Sequence, residues 1–266
     1  MTQQTRRVAL VQQAGGYVGP ALCRQLATSG HDLVVHAPQA GLVDRLAAAG
    51  AAVAVVPDLP ETGPGSLLTP EGWAVLCDTA LERFGRLDAA ALFPPSGGTA
   101  FTRGPFMDAS VDDLRGMVGY YDATFHALQA VLPVLLANPT RGQVVVFTSD
   151  AGARPEAGWS LYGAVRAGQT FLVQAVALEV AGEGVCVNAI GSKNAVSPDF
   201  PLAPAGAATD ASVELGDWAA PLLAETPLPR LGTMDELAAF AAVLLDGRNR
   251  FQTAQYFSFS GGWNAR

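Results

Sequence analysis

Lysine is almost missing from this sequence. Of 16 basic residues in a chain of 266, Lys193 is the only lysine and the other fifteen are arginine. Any chemistry that needs a titratable lysine must use that position or be set aside. Cysteine and histidine are scarce too, with three of each. Cys23, Cys77 and Cys186 are scattered and odd in number, which suits a reducing cytoplasm better than a disulfide framework. Together with His31, His36 and His126 they show no ligand spacing, so no metal site is expected. No apolar run reaches the length of a membrane span. Met1–Arg7 is polar and lacks the apolar core of a secretory signal. The net charge is −8 with no basic run, which argues against a nucleic-acid-binding surface.

Strand and helix patterns alternate along the chain. Short apolar runs at Val8–Val11, Asp32–His36, Ala52–Val56, Leu87–Phe93, Gln143–Thr148, Val185–Ile190 and Gln255–Phe259 read as strands. Helical stretches are expected from Gly19 to about Ser29 and over Leu42–Ala49, Glu71–Phe84, Val111–Ala137, Leu161–Ala181 and Met234–Leu245. This order predicts an α/β fold, a parallel sheet of about seven strands covered by helices on both faces, built as one domain over residues 1–266. Gly191–Pro229 breaks the rhythm and is rich in proline. In open α/β sheets the ligand crevice lies beyond the C-terminal strand ends, so this stretch is expected to act as a lid.

Strand one is followed by QQAGGYVG, Gln12 to Gly19. Glycines here either present backbone amides to a pyrophosphate or only make a tight strand–helix turn. Tyr17 stands where a small residue would be expected beside a phosphate. Strand two ends at His36-Ala37-Pro38, with neither the acidic residue of an NAD site nor the arginine of an NADP site. Pro94-Pro95 removes two backbone donors after strand four.

Ser149 ends strand five, Tyr162 follows thirteen positions later, and Arg166 four after that. Tyr162 and Arg166 share one helix face. Singly, these residues also read as a strand-end cap, a core aromatic and a solvated cation; it is the spaced trio that points to chemistry.

The alternation, the Ser149…Tyr162 spacing, VNAIG at Val187–Gly191 and the C-terminal SGGW resemble the short-chain dehydrogenase/reductase superfamily. That resemblance implies a Rossmann-like doubly wound sheet in three α/β/α layers. In its reductases a lysine four residues after the tyrosine binds the nicotinamide ribose; here that position is Arg166. The superfamily's further catalytic asparagine is replaced by Tyr120, its NNAG motif by Pro94-Pro95-Ser96-Gly97, and the PG after strand six by Gly191-Ser192. This set is similar to one branch, the halohydrin dehalogenases, closest to the subgroup acting on cyclic and internal epoxides. That branch carries Ser, Tyr and Arg at this spacing and an aromatic residue in the turn, as at Tyr17.

The branch's resemblance implies a cofactor-independent lyase that closes vicinal haloalcohols to epoxides and opens epoxides with azide, cyanide, nitrite or halide. Ser149, Tyr162 and Arg166 would be catalytic. The pocket would be lined by Tyr17, Phe93, Tyr120, Gly191, Ser192, Lys193 and Asn194, with residues 191–229 as the substrate and halide loop region. Tyr17, Phe93 and Tyr120 read equally as ordinary core. Two departures stand out: Gln12 where the branch has threonine, and Lys193-Asn194 where its halide loop often reads Asn-Tyr. Lys193 reads either as a snorkelling surface side chain or as a cation near the departing anion. The long helices imply a homo-oligomer, a tetramer built as a dimer of dimers. Trp263 is expected at a subunit interface or edge. Two other readings stay open: an NAD(P)H-dependent reductase with arginine in the lysine role, and a non-catalytic binding protein of the same fold.

Overall fold

A computed structural model describes residues 6–98, 103–196 and 219–265. The chain alternates β1 (Arg7–Val11), α1 (Gly19–Thr28), β2 (His31–His36), α2 (Leu42–Ala48), β3 (Val53–Val56), α3 (Pro70–Phe84), β4 (Ala89–Leu92), α4 (Val111–Ala137), β5 (Gln143–Ser149), α5 (Ser160–Ala181), β6 (Cys186–Ser192), α6 (Ala220–Glu225), α7 (Met234–Leu245) and β7 (Tyr256–Phe259). The strands form one sheet in the order β3-β2-β1-β4-β5-β6-β7, with every neighbouring pair parallel.

Period-two alternation splits each strand between two cores. Ala9 and Val11 of β1 face the cluster with α1, α2 and α7, while Val8 and Leu10 face the one with α3, α4 and α5. Every residue of β5 is buried, as its unbroken apolar run requires of a strand covered on both sides. The strand order reverses at β1, which lies between β2 and β4. A crevice therefore opens there, beyond the C-terminal strand ends. Register sets what lines it: Ser149 pairs with Ser192, and Ser192 with Phe259.

Most expected elements stand within a residue or two of their sequence positions. The short helix α6 was not anticipated; at six residues it is too brief to show a helical period. Of the expected lid, residues 197–218 lie outside the described residues. No helix among the described residues is long and apolar enough to cross a membrane.

At the opposite end of the sheet His31 is fully buried. Its Nδ1 faces the Leu26 carbonyl at 3.2 Å, and its Nε2 accepts from Arg7 Nε at 3.3 Å. Burial, helped by the Arg7 charge, pushes its pKa down to about 4. Between that value and the unfolded one near 6.5 the unfolded chain binds the extra proton. Stability is therefore expected to fall as pH drops from 6.5 toward 4, with His31 contributing up to about 3 kcal/mol. His36, also held down by burial, acts in the same direction. Urea unfolding at pH 7 and pH 4.5 checks this: His31→Gln should flatten the difference, and an unchanged pH slope would contradict it.

Candidate active site

Gln12–Gly19 folds back on strand β2. The Gln13 amide donates to His36 Nδ1 at 3.3 Å and the Ala14 amide to the His36 carbonyl at 2.8 Å. The Gly16 and Gly19 amides donate within the turn itself. A side chain at Gly15 would run into the Ala37 carbonyl, and one at Gly19 into Gln13. These glycines permit close backbone approach, which is the plainer of their two roles. Gln13 and Tyr17, in contrast, hold φ of 57° and 49° without being glycine. Such left-handed conformations cost about 1 kcal/mol each and persist where the surroundings impose them.

For Tyr17 the surroundings are the crevice itself. Its ring meets Phe93 (6.1 Å) and Phe147 (6.3 Å) edge-on, and those two rings stack at 4.3 Å. Its hydroxyl hydrogen-bonds Ser192 at the end of β6. The side chain thus spans the crevice from the β1 turn to β6, over the ends of β4 and β5. Gln12 fixes the base of this wall, its Oε1 accepting from the Phe93 amide at 2.5 Å. The Tyr17 ring thus narrows the crevice on the side where this fold places a dinucleotide.

Ser149, Tyr162 and Arg166 come together on the neighbouring side. Ser149 is buried; its Oγ accepts the Ala151 amide at 3.2 Å, so it does cap the strand end, and it also hydrogen-bonds Tyr162. Arg166 is 9% exposed and its guanidinium lies 3.7 Å above the Tyr120 ring centroid and 5.0 Å from that of Tyr162. One Arg166 Nη donates to Gln169 Oε1 at 2.9 Å; Gln169 donates to Thr124, and Thr124 to the Tyr120 carbonyl. This chain fixes the cation in place. Its Nε is buried with no hydrogen-bond partner among the described residues.

Tyr17 and Tyr162 differ in acidity. Burial pushes Tyr17 up to about 12, against the opposing bond to Ser192. Burial also works against ionising Tyr162, yet it is outweighed by the Arg166 charge, by hydrogen bonds from Ser149 and Arg166, and by the Lys193 charge. Tyr162 is held below the ordinary phenol value. Of the two, only Tyr162 is suited to act as a base.

The remaining pocket residues divide. Phe93, Tyr120 and Ser192 face this site or its wall, whereas a side chain at Gly191 would run into Tyr256 and Asp150. Lys193 Nζ instead pairs with Glu156 at 2.6 Å. Asn194, at φ 56°, donates to Thr226 Oγ1 at 2.8 Å and so ties the loop to the end of α6. Trp263 is buried within the chain, with Arg154 (4.6 Å) and Lys193 (4.5 Å) over its ring.

Sequence reasoning missed Phe147, Trp159 and Asp150. Phe147 had a legible signal: two residues before Ser149, it shares that residue's face of β5. Trp159 lies 5.5 Å from the Tyr162 ring. Asp150, fully buried, accepts from Tyr256 and from Ser258 Oγ and locks β7 behind Gly191. Among the described residues no group of histidine, cysteine and carboxylate side chains is placed to hold a metal ion.

A family model described as enoyl-(acyl carrier protein) reductase matches residues 17–264. The chain is 29% identical over 270 residues to a 3-oxoacyl-[acyl-carrier-protein] reductase of Synechocystis sp. (strain ATCC 27184 / PCC 6803 / Kazusa), covering 98% of each chain. A crystal structure of levodione reductase superposes with a TM-score of 0.79 at 22% identity, covering 97% of this chain and 98% of that one. A solved structure titled "Dehalogenation enzyme" superposes with a TM-score of 0.76 at 25% identity, covering 97% and 98%.

Proposed function

The chain belongs to the short-chain dehydrogenase/reductase superfamily, and we propose that within it this protein is a halohydrin dehalogenase working without a nicotinamide cofactor. One observation carries the reading: Tyr17 narrows the crevice that a dinucleotide would need, while Ser149, Tyr162 and Arg166 stay assembled beside it. The likeness to the dehalogenation enzyme supports it.

The chemistry follows from the acidity of Tyr162. Its phenolate takes the hydroxyl proton of a vicinal haloalcohol. The alkoxide oxygen forms a bond to the neighbouring carbon, and the carbon–halogen bond breaks, its electron pair leaving as halide. Ser149 donates to the substrate oxygen. Arg166 stays charged throughout and takes no proton. In reverse, neutral Tyr162 protonates the epoxide oxygen while azide, cyanide, nitrite or halide attacks carbon. Proton transfer of this kind contributes roughly 10²–10⁴-fold, and alignment of the reacting groups adds to it.

A second reading has its own support. The printed names of the family model and the Synechocystis relative are those of reductases, and Arg166 supplies a cation where a reductase has lysine. One experiment separates the two. Halide release from a panel of halohydrins, cyclic ones included, is measured with and without NAD(P)H, alongside nicotinamide fluorescence. The expected result is release at the same rate in both and unchanged fluorescence. No release from any substrate, or reduction of a carbonyl that consumes NADPH, would favour the reductase.

Exposed Leu114, Tyr121 and Phe125 on α4 and Phe171 and Leu178 on α5 support the proposal that these helices join copies of the chain, as in a homotetramer.

A further inference from the structure

The only lysine of the chain is not a loose surface cation. Its backbone amide donates to the Phe259 carbonyl at 3.1 Å, anchoring it to the end of β7. Its side chain is only 15% exposed and its ammonium is held by Glu156, itself 23% exposed, at 2.6 Å. The ammonium lies 4.5 Å from the Trp263 ring centroid and 5.7 Å from that of Trp159. Trp263 is fixed in turn by Arg154, which stacks on its ring and donates to its carbonyl at 2.6 Å. Trp159 stands next to Tyr162, with ring centroids 5.5 Å apart. A salt bridge alone does not require two indoles around a nearly buried lysine. What the arrangement does achieve is a fixed positive charge one aromatic ring away from the reacting phenol.

We infer that Lys193 is a positioning residue for Tyr162: Glu156, Trp159 and Trp263 hold its ammonium one ring away from the phenol, where it stands with Arg166 as a second cation beside the pocket. The inference rests on the reading of Tyr162 as the acid–base group, whichever reaction that group serves. The two cations approach from different elements, Arg166 from α5 and Lys193 from the loop after β6. The Lys193 charge is among the influences that lower the Tyr162 pKa. The other groups around the phenol are the Tyr120 ring of α4, Ser149 of β5 and Tyr17 of the turn, whose own ionisation opposes that of Tyr162. Farther out stand Asp150 behind the turn, Arg103 over Trp159, and Glu156 itself, whose carboxylate opposes the field of Lys193. This also accounts for the site of the lysine. An ammonium is a compact point charge that two ring faces and one carboxylate can enclose, whereas a guanidinium there would spread its charge away from the phenol.

The test is a spectrophotometric phenolate titration of the folded protein, read as the difference from Tyr162→Phe so that the Tyr162 step stands alone. Lys193→Met is expected to move that step upward by roughly 0.5–1 pH unit, about a three- to tenfold loss of phenolate at neutral pH. Lys193→Arg should restore part of it, since it keeps the charge but spreads it away from the phenol. Lys193→Gln, which keeps a donor for Glu156, should behave as Lys193→Met does and guards against a local packing defect. A Tyr162 step that stays in place in both neutral variants overturns the inference. So does a chain that folds with neither, because Lys193 then serves the fold alone. The titration needs no substrate. Absence of halide release would therefore count against the dehalogenase and leave the role of Lys193 to be decided by the phenolate step.

Discussion

Tyr162→Phe is expected to lower both halide release and epoxide opening by roughly 10²–10⁴-fold while the protein stays folded. The substitution removes one oxygen and keeps the ring. The ring contacts with Tyr120 at 5.8 Å and Trp159 at 5.5 Å survive, as does the Arg166 guanidinium over Tyr120. What disappears is the phenol whose pKa Arg166 and Ser149 hold below its ordinary value. Tyr17 cannot take over, because burial holds its hydroxyl near 12 and Ser192 engages it. Initial rates of halide release at pH 7–9, with the thermal midpoint as a control for folding, check the prediction. A variant that retains full activity would remove Tyr162 as base. Equal loss in both directions matters as well: the same oxygen must accept the proton in closure and return it in opening. A variant impaired in one direction alone would mean that two different groups carry the two steps.

The assembly of Ser149, Tyr162 and Arg166 was legible because its parts lie on regular elements. A serine at the end of a buried strand and a tyrosine at the start of the next helix are brought to the same crevice by the parallel topology, and i, i+4 spacing adds Arg166. Tyr17 drew attention for a different reason: a bulky ring stands where a small residue would be expected beside a phosphate. The ring's destination was not legible: Ser192 lies 175 residues away and only register across β5 and β6 brings it near. The same holds for Asp150 with Tyr256, which are 106 residues apart. Periodicity locates faces of elements, but it does not pair side chains across a sheet.

Lys193 and Asn194 show the limit more sharply. Both stand just past β6, in the segment that the resemblance assigns to halide binding, and a one-dimensional reading places them in one pocket. Asn194 turns to Thr226 and braces α6, while Lys193 turns to Glu156. The left-handed backbone at Asn194 separates them, since it redirects the chain between the two side chains. Paired with the Glu156 carboxylate, Lys193 is a poorer receptor for an anion than a free ammonium would be.

Arg166→Met is the second substitution with a large expected effect, and the sign of its pH dependence distinguishes it from simple damage. Methionine preserves the buried stem and removes the charge. Gln169 then loses its donor, which costs about 1–3 kcal/mol of stability, measurable as a lower unfolding midpoint. For the reaction, burial opposes ionisation of Tyr162 and the Arg166 charge is the foremost influence overcoming it. Without that charge the phenol pKa rises, by roughly one to three pH units for a cation this close. Epoxide formation uses the phenolate, so its rate climbs with pH through that value. In Arg166→Met this limb moves to higher pH, and the rate at pH 7 falls by about tenfold for each unit moved. Epoxide opening uses the neutral phenol, so its rate declines with pH through the same value, and in Arg166→Met it should persist further into the alkaline range. Closure and opening measured from pH 5 to 11 on one preparation therefore give two limbs that must move together and in the same direction. Arg166→Lys should bring both limbs part of the way back, since an ammonium keeps the charge but cannot hold Gln169 and lie over the Tyr120 ring as the planar guanidinium does. Limbs that stay in place while both rates fall would show that Arg166 orients the substrate without setting the acidity of Tyr162.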